Sequence, residues 1–417
     1  MQAQRQFKDD DFQYGFEIAL GASYRQAADV GEVLATAGRI KDGDADTWVR
    51  EWSALAARVR GDGEAAEAAG RRASALAHHR RAATYWSTAL YAIAGSSQAD
   101  RTDELRRLQQ AAWERVVALS PVPGERLAIP YEQTTLPGWF FRAPDAAPGE
   151  PRPLVVLNNG SDGPSSQMWV AGGAAAAERG WHWMTFEGPG QQSVLFEQGI
   201  PFRPDWEAVL TPLLDLLLAR GDVDPAAVAV IGISQGGFWV PRALAFEHRF
   251  AAAVADPGVV DVSASWTAHL PKSLRKELDE GRQRQFDRNL HLAERFSPST
   301  RAVLAFRGEP YKVEEDSPYA LYQRVLQYRL GEEVAQIDTP LLICDPEGEQ
   351  FWPGQSQQLH DRLTGERELV RFTLAEGAGR HCEPMGGALR ETRLFDWLEQ
   401  RLSTPRPERA EGAGAPS

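Results

Sequence analysis

Apolar residues recur at spacings of three and four through much of residues 11–118. The pattern is clearest in residues 47–59 and 80–94, and it is typical of helices that bury one face. Aromatic residues are dense in the same part of the chain: Phe12, Tyr14, Phe16, Tyr24, Trp48, Trp52, Tyr85, Trp86 and Tyr91. They are expected either to form the core between helices or to line an apolar substrate cavity, and the pattern leaves both interpretations open.

The pattern changes at residues 120–125, Ser-Pro-Val-Pro-Gly-Glu, a cluster of helix-breaking residues. Short apolar runs that predict strands follow, at residues 125–132, 135–144, 154–160, 181–186, 227–234, 251–256, 340–345 and 369–374. From residue 154 onward most of these runs are continuously apolar and are separated by segments of helix length. Strands of that kind are typical of a largely parallel sheet that is buried on both faces by helices.

Residues 258–337 interrupt this alternation, because they form a long, highly charged segment with a helical pattern. An insertion over the carboxyl edge of the sheet would explain the interruption. The predicted fold class is therefore α/β, with a helical region in residues 1–122 and a mostly parallel sheet domain in residues 123–403 that contains the insertion. Residues 404–417 have a low-complexity composition, which predicts a disordered tail.

Composition and charge narrow the class of protein. The chain has 417 residues and a formal net charge of −13, which argues against binding to nucleic acid, since that needs a basic surface. Its two cysteines, Cys344 and Cys382, suggest no disulfide framework and fit a reducing compartment. The first residues lack the apolar segment of a signal peptide, and no run approaches the ~18 apolar residues that span a bilayer. We therefore expect a soluble cytoplasmic protein without a membrane partner.

The strongest chemical motif is the pentapeptide Gly232-Ile233-Ser234-Gln235-Gly236, which follows an apolar run and precedes a helix-forming segment. A serine at a sharp strand–turn–helix elbow takes strained backbone angles, so its neighbours two positions away must be small. Gly232 and Gly236 meet that requirement. The turn also places the serine at a helix N-terminus, where backbone N–H groups favour developing negative charge. Ser234 is therefore the candidate nucleophile, and the alternative is a structural serine in a glycine-rich turn.

Pro241 falls seven residues into the helix predicted after Ser234. A proline at that place clashes with the carbonyl group four residues earlier, that of Gly237, and removes a helical hydrogen bond. We therefore expect a kink that Gly237 absorbs.

A serine hydroxyl near neutral pH needs a general base in contact with it and a third group that orients the base. In the fold class with such an elbow, the chain order is nucleophile, acid, histidine. Two histidines follow Ser234 at a plausible distance, His360 and His381. His360 lies in an amphipathic helix pattern, whereas His381 lies in a loop of small residues after the last apolar run. His381 is therefore the candidate base, the alternative being a loop histidine with a structural role.

The loop after residues 340–344 offers three carboxylates, Asp345, Glu347 and Glu349. The orienting acid usually lies several residues past its strand, and a strand that ends near Asp345 puts Glu349 at that place. Glu349 is therefore the candidate acid, with Glu347 and Asp345 as alternatives. A metal site is the competing use of three acids, but no histidine or further carboxylate accompanies them at ligand spacing, so no metal or cofactor is expected.

A developing oxyanion needs two backbone N–H donors that are fixed in advance. One donor is expected from Gln235, directly after the nucleophile. The other is expected from the loop of residues 159–163, Asn-Gly-Ser-Asp-Gly, with Ser161 as the preferred donor. Asn159 and Asp162 are assigned either to contact with substrate or to bracing of this loop.

The order of these motifs resembles that of the α/β-hydrolases with a helical N-terminal cap. The resemblance rests on NGSDG, FEGPGQQS, GISQGG, the acidic loop and GAGRH, together with residues 28–40 and 81–86 in the region that matches the cap. It covers nearly the whole chain before the tail. The group includes esterases related to the fermentation–respiration switch protein and 2,6-dihydroxypseudooxynicotine hydrolase, which cleaves a carbon–carbon bond beside a ketone.

The resemblance implies a cap that closes the active site and a homodimeric assembly. The orienting acid of the family is usually an aspartate, so the glutamate here is a departure. The implied function is hydrolysis of an ester or a ketone-activated carbon–carbon bond in an apolar, carbonyl-containing small molecule, with natural-product (polyketide) metabolism as the setting. The same Ser-His-acid site would also serve an acyltransferase or an acyl-eliminating lyase or cyclase. A non-catalytic binding protein on this scaffold is the third alternative.

Overall fold

The computed structural model describes residues 5–313 and 316–402, without the side chains of residues 298–300 and 303, so the tail predicted at residues 404–417 lies outside the described residues. Ahead of the sheet lie α1 (Asp10–Gly21), α2 (Val30–Ala37), α3 (Ala45–Ala68), α4 (Arg72–Tyr91) and α5 (Thr102–Leu119). The helices predicted at residues 47–59 and 80–94 lie mainly within α3 and α4. Aspartate side chains at positions 9, 29 and 44 accept backbone N–H groups in the first turns of α1, α2 and α3, which fixes where these helices begin.

The central sheet is built from β1 (Glu125–Tyr131), β2 (Thr134–Phe141), β3 (Arg152–Asn158), β4 (His182–Phe186), β5 (Val223–Ile233), β6 (Ala252–Asp256), β7 (Leu341–Pro346) and β8 (Arg367–Phe372). The strand order is β1-β2-β4-β3-β5-β6-β7-β8. β2 is antiparallel to both of its neighbours, and every pairing from β4 to β8 is parallel. Each run predicted as a strand falls on one of these strands, and the parallel arrangement predicted from residue 154 onward is confirmed.

The strands bury side chains on both faces of the sheet, which explains why their runs are continuously apolar. In β5, Val228 and Val230 pack into the core on one face, and Ala229 and Ile231 pack into the core on the other. The remaining helices are α6 (Ala174–Glu178), α7 (Gln192–Phe196), α8 (Glu207–Leu218), α9 (Gly236–Leu244), α10 (Ala264–Thr267), α11 (Lys272–Asp279), α12 (Gln283–Phe296), α13 (Pro298–Gly308), α14 (Pro318–Val325), α15 (Gln355–Arg362) and α16 (Gly387–Leu402). Helices α8 and α9 supply the first core, and α5, α6 and α16 supply the second.

The segment predicted as a helical insertion contains α10 to α14. It returns to the sheet domain near α9, because the backbone N–H of Phe202 donates to the carbonyl of Pro310 at 2.8 Å. The Phe202 ring packs between Tyr311 of the insertion and Trp239 of α9, with centroids 5.2 and 5.1 Å away. The insertion therefore lies beside the helix that begins after Ser234, at the carboxyl edge of the sheet.

Helices α1 to α4 enclose a core of their own. Trp48, Trp52 and Tyr85 are fully buried in it, as the core interpretation of the aromatic residues predicts. Helix α5 belongs to two cores, because Leu105 packs with the other N-terminal helices while Trp113 packs against the sheet. In the described part of the chain, no helix combines the length and the apolar character that crossing a membrane requires.

Candidate active site

Ser234 occupies the turn between β5 and α9. Its φ of 56° lies in the left-handed region that non-glycine residues rarely adopt, as expected for a strained elbow. The flanking glycines are needed for packing: a Cβ on Gly232 would collide with the carbonyl oxygen of Gly236, and one on Gly237 with that of Pro257. The backbone N–H of Ser234 donates to the carbonyl of Asp256 at 2.7 Å, which ties the elbow to the end of β6.

Pro241 lies inside α9, where the sequence predicted a kink. The carbonyl of Gly237, which a proline four residues later cannot use, accepts the backbone N–H of Val259 at 3.2 Å. The tertiary contact therefore replaces the hydrogen bond that Pro241 removes. A neighbouring loop, as well as the small Gly237, accommodates this proline.

Three side chains from separate parts of the chain form one line of hydrogen bonds. Ser234 Oγ is 2.9 Å from His381 Nε2, and His381 Nδ1 is 2.7 Å from Glu349 Oε2. The side chains of His381 and Glu349 are each 4% exposed, so water competes little for either group. The second oxygen of Glu349 accepts the backbone N–H groups of Phe351 and Trp352 at 2.8 and 3.1 Å, which holds the carboxylate in place.

Burial and hydrogen bonding shift the pKa of the Glu349 carboxyl in opposite directions. Burial alone would raise the pKa of Glu349, but the charge and hydrogen bond of His381 and the two backbone N–H donors outweigh it. The net effect is a pKa of Glu349 below its ordinary value, so the group is a carboxylate near neutral pH. A carboxylate beside the imidazole can fix its tautomer and stabilise the imidazolium form.

The other acids and the other histidine considered from the sequence lie elsewhere. Asp345, still within β7, pairs with Arg371 at 3.6 Å, and Glu347 accepts the backbone N–H of Leu374 at 2.8 Å. His360 lies on α15, as its helical pattern predicted. Of the three carboxylates in this loop, the structure brings only Glu349 into hydrogen-bond contact with His381.

The loop after β3 approaches Ser234 at Gly160. A Cβ there would lie 2.7 Å from the Ser234 Cβ, so only glycine leaves room for the serine side chain. The Gly160 N–H is engaged by the side chain of Asn159 at 2.7 Å, and that same side chain donates to the Gly163 carbonyl, so Asn159 braces the loop. Within the described residues, the backbone N–H groups of Gln235 and Ser161 donate to no protein oxygen.

Aromatic rings surround the imidazole, and of these only Tyr14 was among the aromatic residues that the sequence offered as core or cavity lining. The rings of Phe351, Trp352 and Tyr14 have centroids 4.8, 5.6 and 6.2 Å from that of His381. Phe351 and Trp352 follow Glu349 in the same loop, so their proximity could have been inferred from the sequence. Tyr14 lies on α1, and no local signal distinguished it from the other aromatic residues of the N-terminal helices.

A buried charge cluster lies beneath the elbow and was also not predicted. Among the described residues, Asp256, Cys344 and Glu383 place potential metal-ligating atoms within 4.8 Å of one another. The guanidinium of Arg390 lies at the same place, with Nε 2.6 Å from Asp256 Oδ2 and 3.5 Å from Glu383 Oε2. Arg390 therefore supplies the positive charge that these carboxyls require.

Comparison with known proteins extends the description. The family model of the prolyl oligopeptidase family matches residues 210–402. Hydrolase acrC of Aspergillus aculeatus is 33% identical over 288 residues, which cover 64% of this chain and 65% of that protein. The 20-hydroxy-prefusarin hydrolase of Gibberella moniliformis is 32% identical over 272 residues, which cover 64% of each. The chain thus spans just under two thirds of the length of these relatives.

The fold is also that of a solved enzyme. The crystal structure of 2,6-dihydroxy-pseudo-oxynicotine hydrolase superposes with a TM-score of 0.71 at 19% identity, covering 92% of this chain and 95% of that one. The likeness therefore includes the N-terminal helices as well as the sheet. The structure therefore has the α/β-hydrolase fold, the prolyl oligopeptidase family model matches part of its sheet domain, and the curated relatives named above are hydrolases.

Proposed function

We propose that the chain is a serine hydrolase in which Ser234 is the nucleophile, His381 the general base and Glu349 the acid that orients the base. The observation that carries the proposal is the continuous line of hydrogen bonds from Ser234 Oγ through the imidazole to the Glu349 carboxylate. His381 Nε2 takes the hydroxyl proton as Ser234 attacks a carbonyl carbon, and it then gives the proton to the leaving group. Water then attacks the acyl carbon while His381 Nε2 takes its proton, and His381 returns that proton to Ser234 Oγ as the bond to the serine breaks and the acid is released.

The proposed oxyanion donors are the backbone N–H groups of Gln235 and Ser161. Gln235 directly precedes α9, so the partial positive charge of the helix N-terminus adds to its N–H. Ser161 follows Gly160, whose contact with Ser234 brings this loop against the nucleophile. Two such donors stabilise the negative charge that develops when the carbonyl is attacked.

The proposed substrate is an apolar small molecule with an ester or a ketone-activated carbon–carbon bond. The aromatic rings around His381 support an apolar substrate, because they offer no ion pair and few hydrogen bonds to a bound molecule. The similarity to a hydrolase of 20-hydroxy-prefusarin and the fold shared with 2,6-dihydroxy-pseudo-oxynicotine hydrolase support natural-product metabolism, with polyketides as one substrate class. In the carbon–carbon case, the carbanion that leaves the attacked carbonyl takes the proton from His381.

A second candidate is acyl transfer or acyl elimination at the same site. The observation that favours it is the burial of the base, since a His381 side chain that is 4% exposed and surrounded by rings limits the access of water to the acyl group. Reaction in oxygen-18 water separates the two functions. Hydrolysis places the isotope in the released acid, whereas transfer or elimination leaves the product unlabelled.

The test of the nucleophile is labelling with a fluorophosphonate. The wild-type protein is expected to be labelled at Ser234, and Ser234→Ala is expected to remain unlabelled. Ser97→Ala, which changes an exposed serine of the N-terminal helices, is the matched control and is expected to be labelled like the wild type. Labelling of Ser234→Ala, or no labelling of the wild type, would contradict the proposal.

The proposal includes an assembly and a location. We propose a cap in residues 1–122, a catalytic domain in residues 123–403 with the insertion at residues 258–337, a homodimer, and a cytoplasmic location. Light scattering on the purified chain measures the assembly directly. A mass near 46.0 kDa, that of one chain, would contradict the homodimer.

A further inference from the structure

Helix α1 lies directly against the loop that carries His381. The hydroxyl of Tyr14 donates to the backbone carbonyl of His381 at 2.9 Å, and the Tyr14 side chain is buried. Burial raises the pKa of Tyr14 well above its ordinary value, so the hydroxyl keeps its proton and stays a donor. The contact joins two residues that are 367 positions apart in the chain.

The same face of α1 contacts the loop on both sides of His381. Glu17 lies 3.5 Å from the guanidinium of Arg380, whose carbon also lies 5.7 Å from the centre of the Tyr14 ring. At the end of α1, a Cβ on Gly21 would collide with the carbonyl oxygen of Pro384. The helix backbone and the loop are therefore in direct contact.

The loop after His381 is conformationally strained. Cys382 and Glu383 have φ angles of 56° and 47°, in the left-handed region that non-glycine residues rarely adopt. Such angles persist only where surrounding contacts hold the backbone. The Tyr14 hydroxyl supplies one of these contacts at the residue directly before the strained pair.

We propose that Tyr14 is a positioning residue, which holds the backbone of His381 so that its imidazole stays aligned between Ser234 and Glu349. The inference rests on the proposed function, because it assigns Tyr14 a role in the alignment of that base. It gives the N-terminal helices a part in the chemistry, beyond covering the site.

Tyr14→Phe tests the inference, because it removes the hydroxyl and keeps the ring. The probe is the fluorophosphonate, with the rate of labelling at saturation (kinact) separated from the half-saturating concentration (KI). We expect kinact to fall about two- to tenfold, which corresponds to the loss of one neutral hydrogen bond. KI should stay unchanged, because the aromatic ring of residue 14 remains in place. Tyr85→Phe is the matched control: its hydroxyl makes two hydrogen bonds within the N-terminal helices, to Glu32 and to the Asp29 N–H.

Tyr85→Phe is expected to keep the wild-type kinact although it loses more hydrogen bonds. If Tyr14→Phe labels as fast as Tyr85→Phe, Tyr14 does not position the base and the inference is wrong. Gly21→Ala tests the same contact from another position, because the added Cβ pushes α1 away from Pro384. We expect its kinact to fall as well, with KI equal to that of the wild type. Failure of the proposed function is recognised separately, because the wild type would then not be labelled or Ser234→Ala would be.

Discussion

Arg390 lies between two buried carboxyl groups, and its replacement by methionine tests how their charge is held. The Arg390 side chain is 5% exposed, and its guanidinium lies 2.6 Å from Asp256 and 3.5 Å from Glu383 and donates to the Ala171 carbonyl at 2.7 Å. Arg390→Met keeps much of the side-chain length but leaves the fully buried Asp256 without a counter-charge. Removal of one partner from a buried ion pair costs about 3–5 kcal/mol, so we expect the free energy of unfolding to fall by about that amount.

The two carboxyls are not equivalent, because one guanidinium carries one positive charge. Burial and the charge of Asp256 raise the pKa of Glu383 well above its ordinary value, and Arg390 offsets this only in part. Glu383 therefore favours its neutral form more than an ordinary glutamate does, and Asp256 is the carboxyl group that lies closer to Arg390. Glu383→Gln preserves a neutral side chain of the same shape and is expected to cost less than about 1 kcal/mol. Asp256→Asn removes the carboxylate nearest to the buried Arg390 guanidinium and is expected to cost about 3–5 kcal/mol.

Urea unfolding followed by tryptophan fluorescence measures all three variants on one scale. The expected order of destabilisation is Arg390→Met and Asp256→Asn together, with Glu383→Gln well below them. If Glu383→Gln costs as much free energy as Asp256→Asn, the Glu383 carboxyl is ionised in the folded state, which contradicts the raised pKa of Glu383. A cost under about 1 kcal/mol for Arg390→Met would refute the reasoning as a whole.

Two further predictions concern Glu349 and Glu187, a buried residue directly after β4. Glu349→Gln should lower turnover by about 10⁴-fold, as loss of a triad acid does, while Glu347→Gln stays near wild type; the reverse order in a rate assay would exclude Glu349 as the orienting acid. Burial raises the pKa of Glu187 to about 7 from 4.5, against hydrogen bonds from Ser193 and Ser165. Between pH 4.5 and pH 7 the folded state keeps a proton on Glu187 that the unfolded state has lost. Each pH unit of increase in that range should therefore lower the free energy of unfolding by ~1.4 kcal/mol. Unfolding titrations at pH 5 and 7.5 should show a smaller pH difference for Glu187→Gln than for the wild type, and equal differences would contradict the assignment.

Local patterns in the sequence were enough to predict much of the fold. Strands buried on both faces, such as β5, read as continuous apolar runs, and amphipathic helices such as α3 read as three- and four-residue spacings. The strained turn at Ser234 was predictable because its steric demand falls on residues two and three positions away, Gly232, Gly236 and Gly237. The grouping of Ser234, His381 and Glu349 was inferred from the chain order nucleophile, acid, histidine, which is typical of the fold class.

The sequence by itself determined the interactions between residues a few positions apart, and the order in which strands and motifs follow along the chain. The tertiary structure decided the rest. The choice among Asp345, Glu347 and Glu349 depends on where β7 ends. Moving the predicted end of that strand by one residue changes which carboxylate is placed at the position of the acid. The contacts of Tyr14 with His381 and of Arg390 with Asp256 join residues more than a hundred positions apart, and no local periodicity encodes such a distance. These contacts depend on how the helices pack. Packing decides which polar groups become buried side by side, and buried polar groups must pair because water no longer reaches them.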